Sequence, residues 1–261
     1  MSGIITLTTD FGPSSPYVAA IKGVILSINP NVTIVDLTHA IAAQDIRAGA
    51  LVLEEMTRWF PADTIHVAVV DPGVGTSRGI VYARIGLQQY VAPDNGLLSR
   101  LALATCASTI IAVSEPAHWL SPVSRTFHGR DIMAPVAAQL SLGLDPSRLG
   151  AAQHELVMLQ WTEARVSDSK IEGAVESIDS FGNLITNISV NDLVKVPHDE
   201  TTSIVCDEHE TRGIFETYAD QPPMTFVAVL GSSGKLELAI VGESAADMLS
   251  IPVGTPVTIE W

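Results

Sequence analysis

The sequence predicts an α/β fold: an N-terminal, mostly parallel α/β sandwich domain, followed by a smaller C-terminal all-β, barrel-like domain. Over the first 140 residues, apolar β-rich runs alternate with helical periodicity, which is typical of a parallel sheet covered by helices. Near 150–170 the helical periodicity fades, and short strand candidates separated by Gly, Pro, Asn and Asp follow. We therefore expect the domains to span residues 1–165 and 166–261.

The run Ile65–Val70 is apolar and β-branched and lies between two prolines, Pro61 and Pro72, which indicates a strand buried on both faces. The other N-terminal strands are expected at Ile4–Thr8, Val32–Leu37, Ile80–Ile85, Tyr90–Val91 and Thr109–Val113. Helices are expected at Tyr17–Ile28, Asp45–Trp59 with Asp45 as N-cap, Ile132–Leu140 with an irregularity at Pro135, and a short one opened by Ala92–Leu98. The C-terminal strands are expected at Ile171–Ile178, Ile185–Ile188, Thr225–Leu230, Leu236–Ile240 and Val257–Trp261.

The composition limits the kinds of partner. Of 261 residues, 47% are hydrophobic and 29 are acidic against 14 basic, for a formal charge of −15. Such a charge argues against nucleic acid and anionic membranes as partners. The sequence has no apolar run of transmembrane length and no signal-peptide pattern. Cys106 and Cys206 are too far apart for a disulfide framework, so we expect a cytoplasmic protein.

Polar residues follow several N-terminal strands and turns. They are Asp10, Asp71 with Arg78, Asp94 and Asn95, and His128 with Arg130 and Asp131. In open α/β sheets, ligands bind outside the carboxyl ends of the strands. Each acid alone could simply cap a turn. Together, a histidine, an aspartate and an arginine without a G-x-S-x-G nucleophile indicate activation of water. The seven histidines have no metal-ligand spacing, so no metal is expected.

Two motifs in the C-terminal half could bind a ligand, although each could also be an ordinary turn without a binding role. The first, IDSFGN, contains Phe181, which could stack on a purine, and Asn183, whose amide could pair with a purine edge. The second, GSSGK at 231–235, lacks the spacing of a phosphate-binding P-loop. Its backbone could instead hold a carboxylate.

Taken together and in order, the motifs resemble one family. They are TTDFG, INPN, DLTH, VVDPGVGT with Arg78, APDNGLL, TFHGRDIMAP, IDSFGNLITN and GSSGKLELA. This set resembles the S-adenosyl-L-methionine (SAM) hydroxide adenosyltransferases, hydrolytic relatives of the adenosyl-halide synthases. The resemblance implies that water or hydroxide attacks C5′ of SAM, giving adenosine and L-methionine. It also implies a homotrimer with sites between subunits, and no cofactor, since SAM is the substrate.

The resemblance further implies residue roles. Asp71, Arg78 and His128 would activate the water: Arg78 by favouring its hydroxide-like form, and Asp71 and His128 by orienting it and taking a proton. The residues implied to bind the substrate are Asp10 for the ribose hydroxyls, Asp179 for the methionine amino group, Ser232 and Ser233 for its carboxylate, Asn183 and more weakly Phe181 for adenine, and Tyr17 and Gln44 near the ligand.

Three alternatives stay open: an adenosyl-halide synthase, a non-catalytic module that binds SAM or adenosine, and a structural trimer with a vestigial site. In the halide-using relatives the position of Asp71 is not acidic, and a tyrosine replaces His128. A fixed carboxylate near the nucleophile would repel a halide, which favours water. One departure concerns Asp179, which lies one residue closer to the Phe-Gly-Asn sequence than its counterpart in the halide enzymes.

Overall fold

The computed structural model describes residues 3–261. The chain divides into two compact units, an N-terminal unit ending at Leu159 and a C-terminal unit spanning Gln160–Trp261. Across residues 3–261, no helix is both long enough and apolar enough to span a bilayer.

The N-terminal unit contains one six-stranded sheet. Its strands are β1 (Ile4–Thr9), β2 (Thr33–Thr38), β3 (Ile65–Val69), β4 (Ile80–Ile85), β5 (Gln88–Pro93) and β6 (Ala107–Ala112). They lie in the order β2-β1-β3-β5-β4-β6. The first four strands in this order pair in parallel, whereas β4 is antiparallel to both of its neighbours. The carboxyl ends of the four parallel strands therefore meet at one edge of the sheet.

Helices cover both faces of this sheet. They are α1 (Pro16–Ile28), α2 (Ile46–Thr57), α3 (Ser99–Ala104) and α4 (Ala134–Ser141). Successive residues of β3 face opposite cores: Val67 lies in the same core as Ile21 of α1, and Ala68 lies in the same core as Leu53 of α2. The expectation that this strand is buried on both faces is confirmed. Asp45 also caps α2 as expected, because its Oδ1 accepts a 2.9 Å hydrogen bond from the Ala48 N–H.

Two helix expectations differ from the structure. The segment expected to open a helix at Ala92 instead continues β5 to Pro93, and α3 begins only at Ser99. Between them, Asn95 donates from Nδ2 to the Val70 carbonyl (2.9 Å) and accepts from the Leu97 N–H (3.2 Å), so it forms a turn. The irregularity expected at Pro135 lies earlier, in a π-helical turn at Gly129–Met133. Pro135 occupies the first turn of α4, where its missing N–H costs nothing.

The C-terminal unit is a nearly closed antiparallel sheet. Its elements are β7 (Arg165–Val166), β8 (Lys170–Ile178), β9 (Leu184–Ser189), β10 (Ser203–Cys206), β11 (His209–Arg212), β12 (Phe226–Leu230), β13 (Lys235–Ile240), the short helix α5 (Ala245–Leu249) and β14 (Pro256–Glu260). The strands lie in the order β11-β10-β14-β8-β9-β13-β12, with β7 paired to β8. Thr211 in β11 donates from Oγ1 to the Phe226 carbonyl in β12 (2.8 Å), which links the two end strands and makes the sheet barrel-like.

The sequence did not predict β7, β10, β11 or α5. These elements have two to five residues, which is too short for a periodic pattern to stand out. In β10, Ile204 and Cys206 are nevertheless buried in the barrel core and alternate with partly exposed residues, as expected for a strand with one solvated face.

Candidate active site

Asp71, Arg78 and His128 form one connected group. Arg78 Nε donates to both carboxylate oxygens of Asp71, at 2.8 and 3.0 Å, and its Nη2 also donates to Oδ2. The same Nη2 lies 2.9 Å from Nδ1 of His128. The structure thus brings together Asp71 and His128, which are 57 positions apart in the sequence, with Arg78 between them.

The turn after β3 makes this geometry possible. The Val74 N–H donates to the Asp71 carbonyl (3.2 Å) and the Thr76 N–H to the Gly73 carbonyl (3.1 Å), so the chain folds back on itself. Gly75 has φ +78°, and a Cβ there would lie 2.2 Å from the Arg125 carbonyl oxygen. Glycine is therefore required at this point, where the turn meets the segment that leads to His128.

The group is largely shielded from solvent. The side chains of Arg78 and Asp71 are only 11% and 5% exposed, so their ion pair is weakly screened. Burial and the Arg78 guanidinium lower the pKa of His128, while the carboxylates of Asp71 and Asp131 act in the opposite direction. The lowered pKa of His128 favours its neutral form at physiological pH.

A pocket of about 520 Å³ opens at the carboxyl edge of the sheet. It is lined by Asp10, Phe11, Tyr17, Gln44, Val69, Asp71, Pro72, Val74, Ser124, Thr126, Phe127, His128, Gly129 and Arg130. Five of the predicted site residues, Asp10, Tyr17, Gln44, Asp71 and His128, therefore share one pocket. Arg78 is not a lining residue, but its guanidinium contacts two residues that are, Asp71 and His128.

Asp10 directly follows β1, and its carboxylate is held by the backbone. Its Oδ2 accepts a 2.8 Å hydrogen bond from the N–H of Gln44. The residue that donates this hydrogen bond, Gln44, has φ +67°, which is an uncommon backbone conformation for a non-glycine residue. The second carboxylate oxygen, Oδ1, makes no hydrogen bond to another residue of the described range, which leaves it able to accept from a ligand.

A chain of hydrogen bonds and ion pairs that was not expected from the sequence adjoins Asp10. The Phe11 N–H donates to Thr9 Oγ1 (3.3 Å), and that hydroxyl lies 2.9 Å from His39 Nδ1. On the other side of the ring, His39 Nε2 lies 3.0 Å from Asp36 Oδ1, and Lys22 Nζ lies 2.6 Å from Asp36 Oδ2. The buried imidazole thus couples β2 to the residues that flank Asp10. The sequence feature that could have indicated this chain of contacts is the DLTH motif at the end of β2, because β2 is the neighbour of β1, which ends at the TTD motif.

Three aromatic rings line the pocket beside Asp10. Phe11, Tyr17 and Phe127 meet edge to face, with ring centroids 5.2 to 5.9 Å apart. The Arg130 guanidinium lies 4.9 Å from the centre of the Phe127 ring. Of these three rings, sequence reasoning named only Tyr17 as a site residue.

In the C-terminal unit, Asp179, Phe181 and Asn183 share the turn between β8 and β9. Asp179 Oδ1 accepts from the N–H groups of Phe181 and Asn183, both at 2.9 Å, and Oδ2 accepts from Asn183 Nδ2 at 2.9 Å. Gly182 has φ +82°, and a Cβ there would lie 2.0 Å from Ser244 Oγ. The Phe181 ring is 77% exposed. The Asp179 carboxylate therefore stabilises its own turn.

Ser232 and Ser233 lie in the hairpin between β12 and β13. Ser232 is exposed, whereas Ser233 Oγ is buried and has no hydrogen-bond partner among residues 3–261. In the ladder between β9 and β13, Leu184 pairs with Leu238 and Ser189 pairs with Lys235. The turn that holds Asp179 and the hairpin that holds the two serines therefore adjoin opposite ends of β9.

No group of three or more His, Cys, Asp or Glu side chains suited to a metal ion occurs within residues 3–261.

The fold and site define a known class of enzyme. The SAM hydroxide adenosyltransferase N-terminal domain model matches residues 5–150, and the C-terminal domain model of the same family matches residues 173–258. The chain belongs to the SAM hydroxide adenosyltransferase family.

Individual relatives match along nearly the whole chain. The (R)-S-adenosyl-L-methionine hydrolase of Thermus thermophilus is 36% identical over 259 residues, covering 96% of this chain and 97% of that protein. The hydrolase of the same name from Salinispora tropica is 35% identical over 253 residues, covering 96% and 95%. The fluorinase of Nocardia brasiliensis is 30% identical over 294 residues, covering 98% and 96%. The crystal structure of a conserved protein from Thermotoga maritima has a TM-score of 0.94 at 33% identity, covering 98% and 100%.

Proposed function

We propose that this protein hydrolyses SAM by attack of water or hydroxide at C5′, releasing adenosine and L-methionine. The observation that carries the proposal is the connected group of Asp71, Arg78 and His128 beside a pocket that also presents Asp10. Membership of the family and similarity to (R)-SAM hydrolases over nearly the whole chain support the same reaction.

The main task of the protein in this reaction would be to position the substrate and the attacking water. The sulfonium of SAM is already a good leaving group, so we propose that no metal or cofactor takes part and that SAM itself is the substrate. What remains is to place a water in line with the C5′–S bond and to favour its hydroxide form. Alignment of that kind contributes up to about 7–11 kcal/mol in ideal cases. Asp71 and His128 line the pocket where such a water would be held.

Substrate contacts are part of the proposal. Oδ1 of Asp10, which makes no hydrogen bond to another residue of the range 3–261, would accept from the ribose hydroxyls, with Tyr17 and Gln44 lining the same pocket. Asn183 and the exposed Phe181 ring would bind adenine. Ser232 and Ser233 would bind the methionine carboxylate, with the backbone N–H groups of their hairpin available for it because Ser233 Oγ is buried. Asp179 is assigned to the methionine amino group with less support, for two reasons. Its carboxylate already accepts three hydrogen bonds from its turn, and that turn adjoins the end of β9 opposite to the serine hairpin.

We further propose a homotrimer in which the domain of residues 166–261 of one subunit completes the site on the domain of residues 1–165 of the next. Sedimentation equilibrium would test the assembly. A mixture of an Asp71 variant with an Asn183 variant would test the shared site, because mixed trimers would regain activity. A cytoplasmic location is the simplest setting, supported by two free and widely separated cysteines, Cys106 and Cys206.

Water is favoured over halide as the nucleophile. A carboxylate at Asp71 repels a halide entering the same pocket, and the related hydrolases are more similar to this chain than the fluorinases are. Formation of a 5′-halo-adenosine in chloride or fluoride would instead assign the protein to the halide-using enzymes.

The deciding experiment uses purified protein, SAM and a chelator in oxygen-18 water, with products analysed by mass spectrometry. The relatives' name specifies the R configuration at sulfur, so both sulfonium epimers should be assayed. Adenosine carrying one oxygen-18 at its 5′-hydroxyl is the expected result. Intact SAM after long incubation would indicate a binding module, and unlabelled adenosine would exclude attack by solvent.

A further inference from the structure

The contact between Arg78 and His128 fixes the protonation of the imidazole. Arg78 Nη2 lies 2.9 Å from His128 Nδ1. A guanidinium has only N–H donors and no acceptor, so Nδ1 must be the acceptor and carries no proton. A neutral imidazole has one N–H, which is then on Nε2. We propose, on the basis of the function above, that His128 is held as the Nε2–H tautomer and donates a hydrogen bond to the attacking oxygen instead of taking its proton.

The surroundings of the ring maintain this tautomer. Arg78 cannot turn away easily, because its Nε and Nη2 are bound to the Asp71 carboxylate. A proton on Nδ1 would point at the guanidinium. The charged groups that act on the imidazole are Arg78, Asp71, which is paired with Arg78, and Asp131. Neither carboxylate is hydrogen-bonded to the ring, so neither competes with Arg78 for Nδ1.

The other ring nitrogen is available to the reaction. His128 lines the pocket, and Nε2 makes no hydrogen bond to any residue in the described part of the chain. Because Nε2 carries a hydrogen and has no free lone pair, it can donate to an oxygen in the pocket but cannot accept a proton from it. A hydrogen bond donated to the attacking oxygen stabilises hydroxide more than water.

The reaction then balances without a basic side chain. Water entering the pocket loses one proton to solvent, and the resulting hydroxide is held by His128 Nε2–H. Its remaining hydrogen is donated to Asp71, which lines the same pocket. The C5′–O bond forms, the C5′–S bond breaks, and the electron pair of that bond stays on sulfur as methionine leaves. The histidine ends the cycle in the protonation state in which it began.

Three variants at one position test the donor role. His128→Gln offers an N–H near the position of Nε2, whereas His128→Ala offers none. His128→Asn keeps an acceptor for Arg78 but reaches less far into the pocket. We expect turnover of SAM by the Gln variant to exceed that of the Ala variant by about tenfold or more, with the Asn variant near Ala. The pH dependence of the Gln variant should keep the wild-type shape, since the ionising group is the bound water.

A spectroscopic measurement tests the tautomer separately from activity. Nitrogen-15 NMR of histidine-labelled protein, with His128 assigned by the Gln variant, should give a pyridine-type resonance at Nδ1 and a pyrrole-type resonance at Nε2. The reverse assignment, or a Gln variant no faster than the Ala variant, would overturn the inference. If wild-type protein leaves SAM intact, the proposed function fails, while the NMR result still decides the tautomer.

Discussion

Arg78 Nε donates to both carboxylate oxygens of Asp71, at 2.8 and 3.0 Å, although the two residues are seven positions apart in the sequence. This fork leaves Nη2 directed at the ring of His128, so one guanidinium sets the orientation of two pocket-lining side chains. A planar group with several fixed donors can do this, whereas a single ammonium cannot.

Arg78→Lys should therefore abolish most activity although it keeps the charge. A lysine cannot bond both Asp71 oxygens and Nδ1 of His128 together, so we expect turnover to fall by about a hundredfold or more. Since Arg78 does not line the pocket, SAM affinity measured by calorimetry should change by less than about threefold. Arg84→Lys is the control, because Arg84 pairs with Asp63 at an exposed site. Equal turnover in the two variants would contradict the bridging role.

Asp10→Ala should weaken binding more than it slows chemistry. Loss of charge-assisted hydrogen bonds to the ribose hydroxyls is worth about 1.5–3 kcal/mol each, so KM should rise by about tenfold or more. Asp10→Asn keeps an acceptor for the Gln44 N–H and should show a smaller rise. Asp168→Ala, in an exposed turn, serves as the control. An unchanged KM in the Asp10 variants would remove Asp10 from the binding site.

His39→Leu should act on the site from a distance. It breaks the link from Asp36 through the imidazole to Thr9, whose hydroxyl accepts from the Phe11 N–H next to Asp10. We expect stability to fall by about 1–3 kcal/mol and KM to rise by about fivefold. His118→Leu is a matched control, because His118 is also buried and bonds Gln139 at 2.6 Å outside the pocket lining. A similar KM in both variants would make the role of His39 merely structural.

The fold should lose stability in mild acid because of His66. This side chain is fully buried between Phe60 and Tyr90, and burial lowers its pKa from 6.5 to about 4. Between pH 6.5 and about 4, His66 is therefore protonated in the unfolded chain but neutral in the folded chain. The stabilisation is complete above pH 6.5 and is lost as the pH falls toward 4, by about 3 kcal/mol. Urea unfolding at pH 7 and pH 4.5 should show this loss in the wild type. His66→Asn should be less stable at pH 7 but less sensitive to acid, and an equal acid loss would exclude His66 as its source.

Part of the candidate catalytic group could be predicted from the sequence by simple geometry, and the full set of three residues was implied by the resemblance to the family. The carboxyl ends of parallel strands meet at one edge, so acids after β1 and β3 fall close together. The turn glycines bring Arg78 back toward Asp71, and the motif around His128 precedes a helix. Apolar β-rich runs were enough to identify the longer strands. The loss of helical periodicity between residues 150 and 170 was enough to indicate the change from an α/β domain to an all-β domain.

The other features of the fold and site depend on which strands are neighbours and on contacts between distant residues, and neither can be read from the sequence. The link from Thr9 to His39 exists because β1 and β2 are neighbours and their register shifts near Leu7 and Thr8. The aromatic cluster of Phe11, Tyr17 and Phe127 joins residues more than 100 positions apart. In the barrel, β11 is only four residues long and mostly polar, so the sequence gives no strand pattern there. Its place at the end of the sheet is evident only from its hydrogen bonds to β10 and its contact with β12.

The central claim is that the Asp71, Arg78 and His128 group activates the solvent molecule that cleaves SAM. Single-turnover hydrolysis of SAM by Asp71→Asn, measured beside SAM affinity and thermal stability, tests it most directly. We predict that turnover falls by about a hundredfold or more while affinity changes by less than about threefold. Turnover close to that of the wild-type protein in a folded, SAM-binding variant would contradict the account.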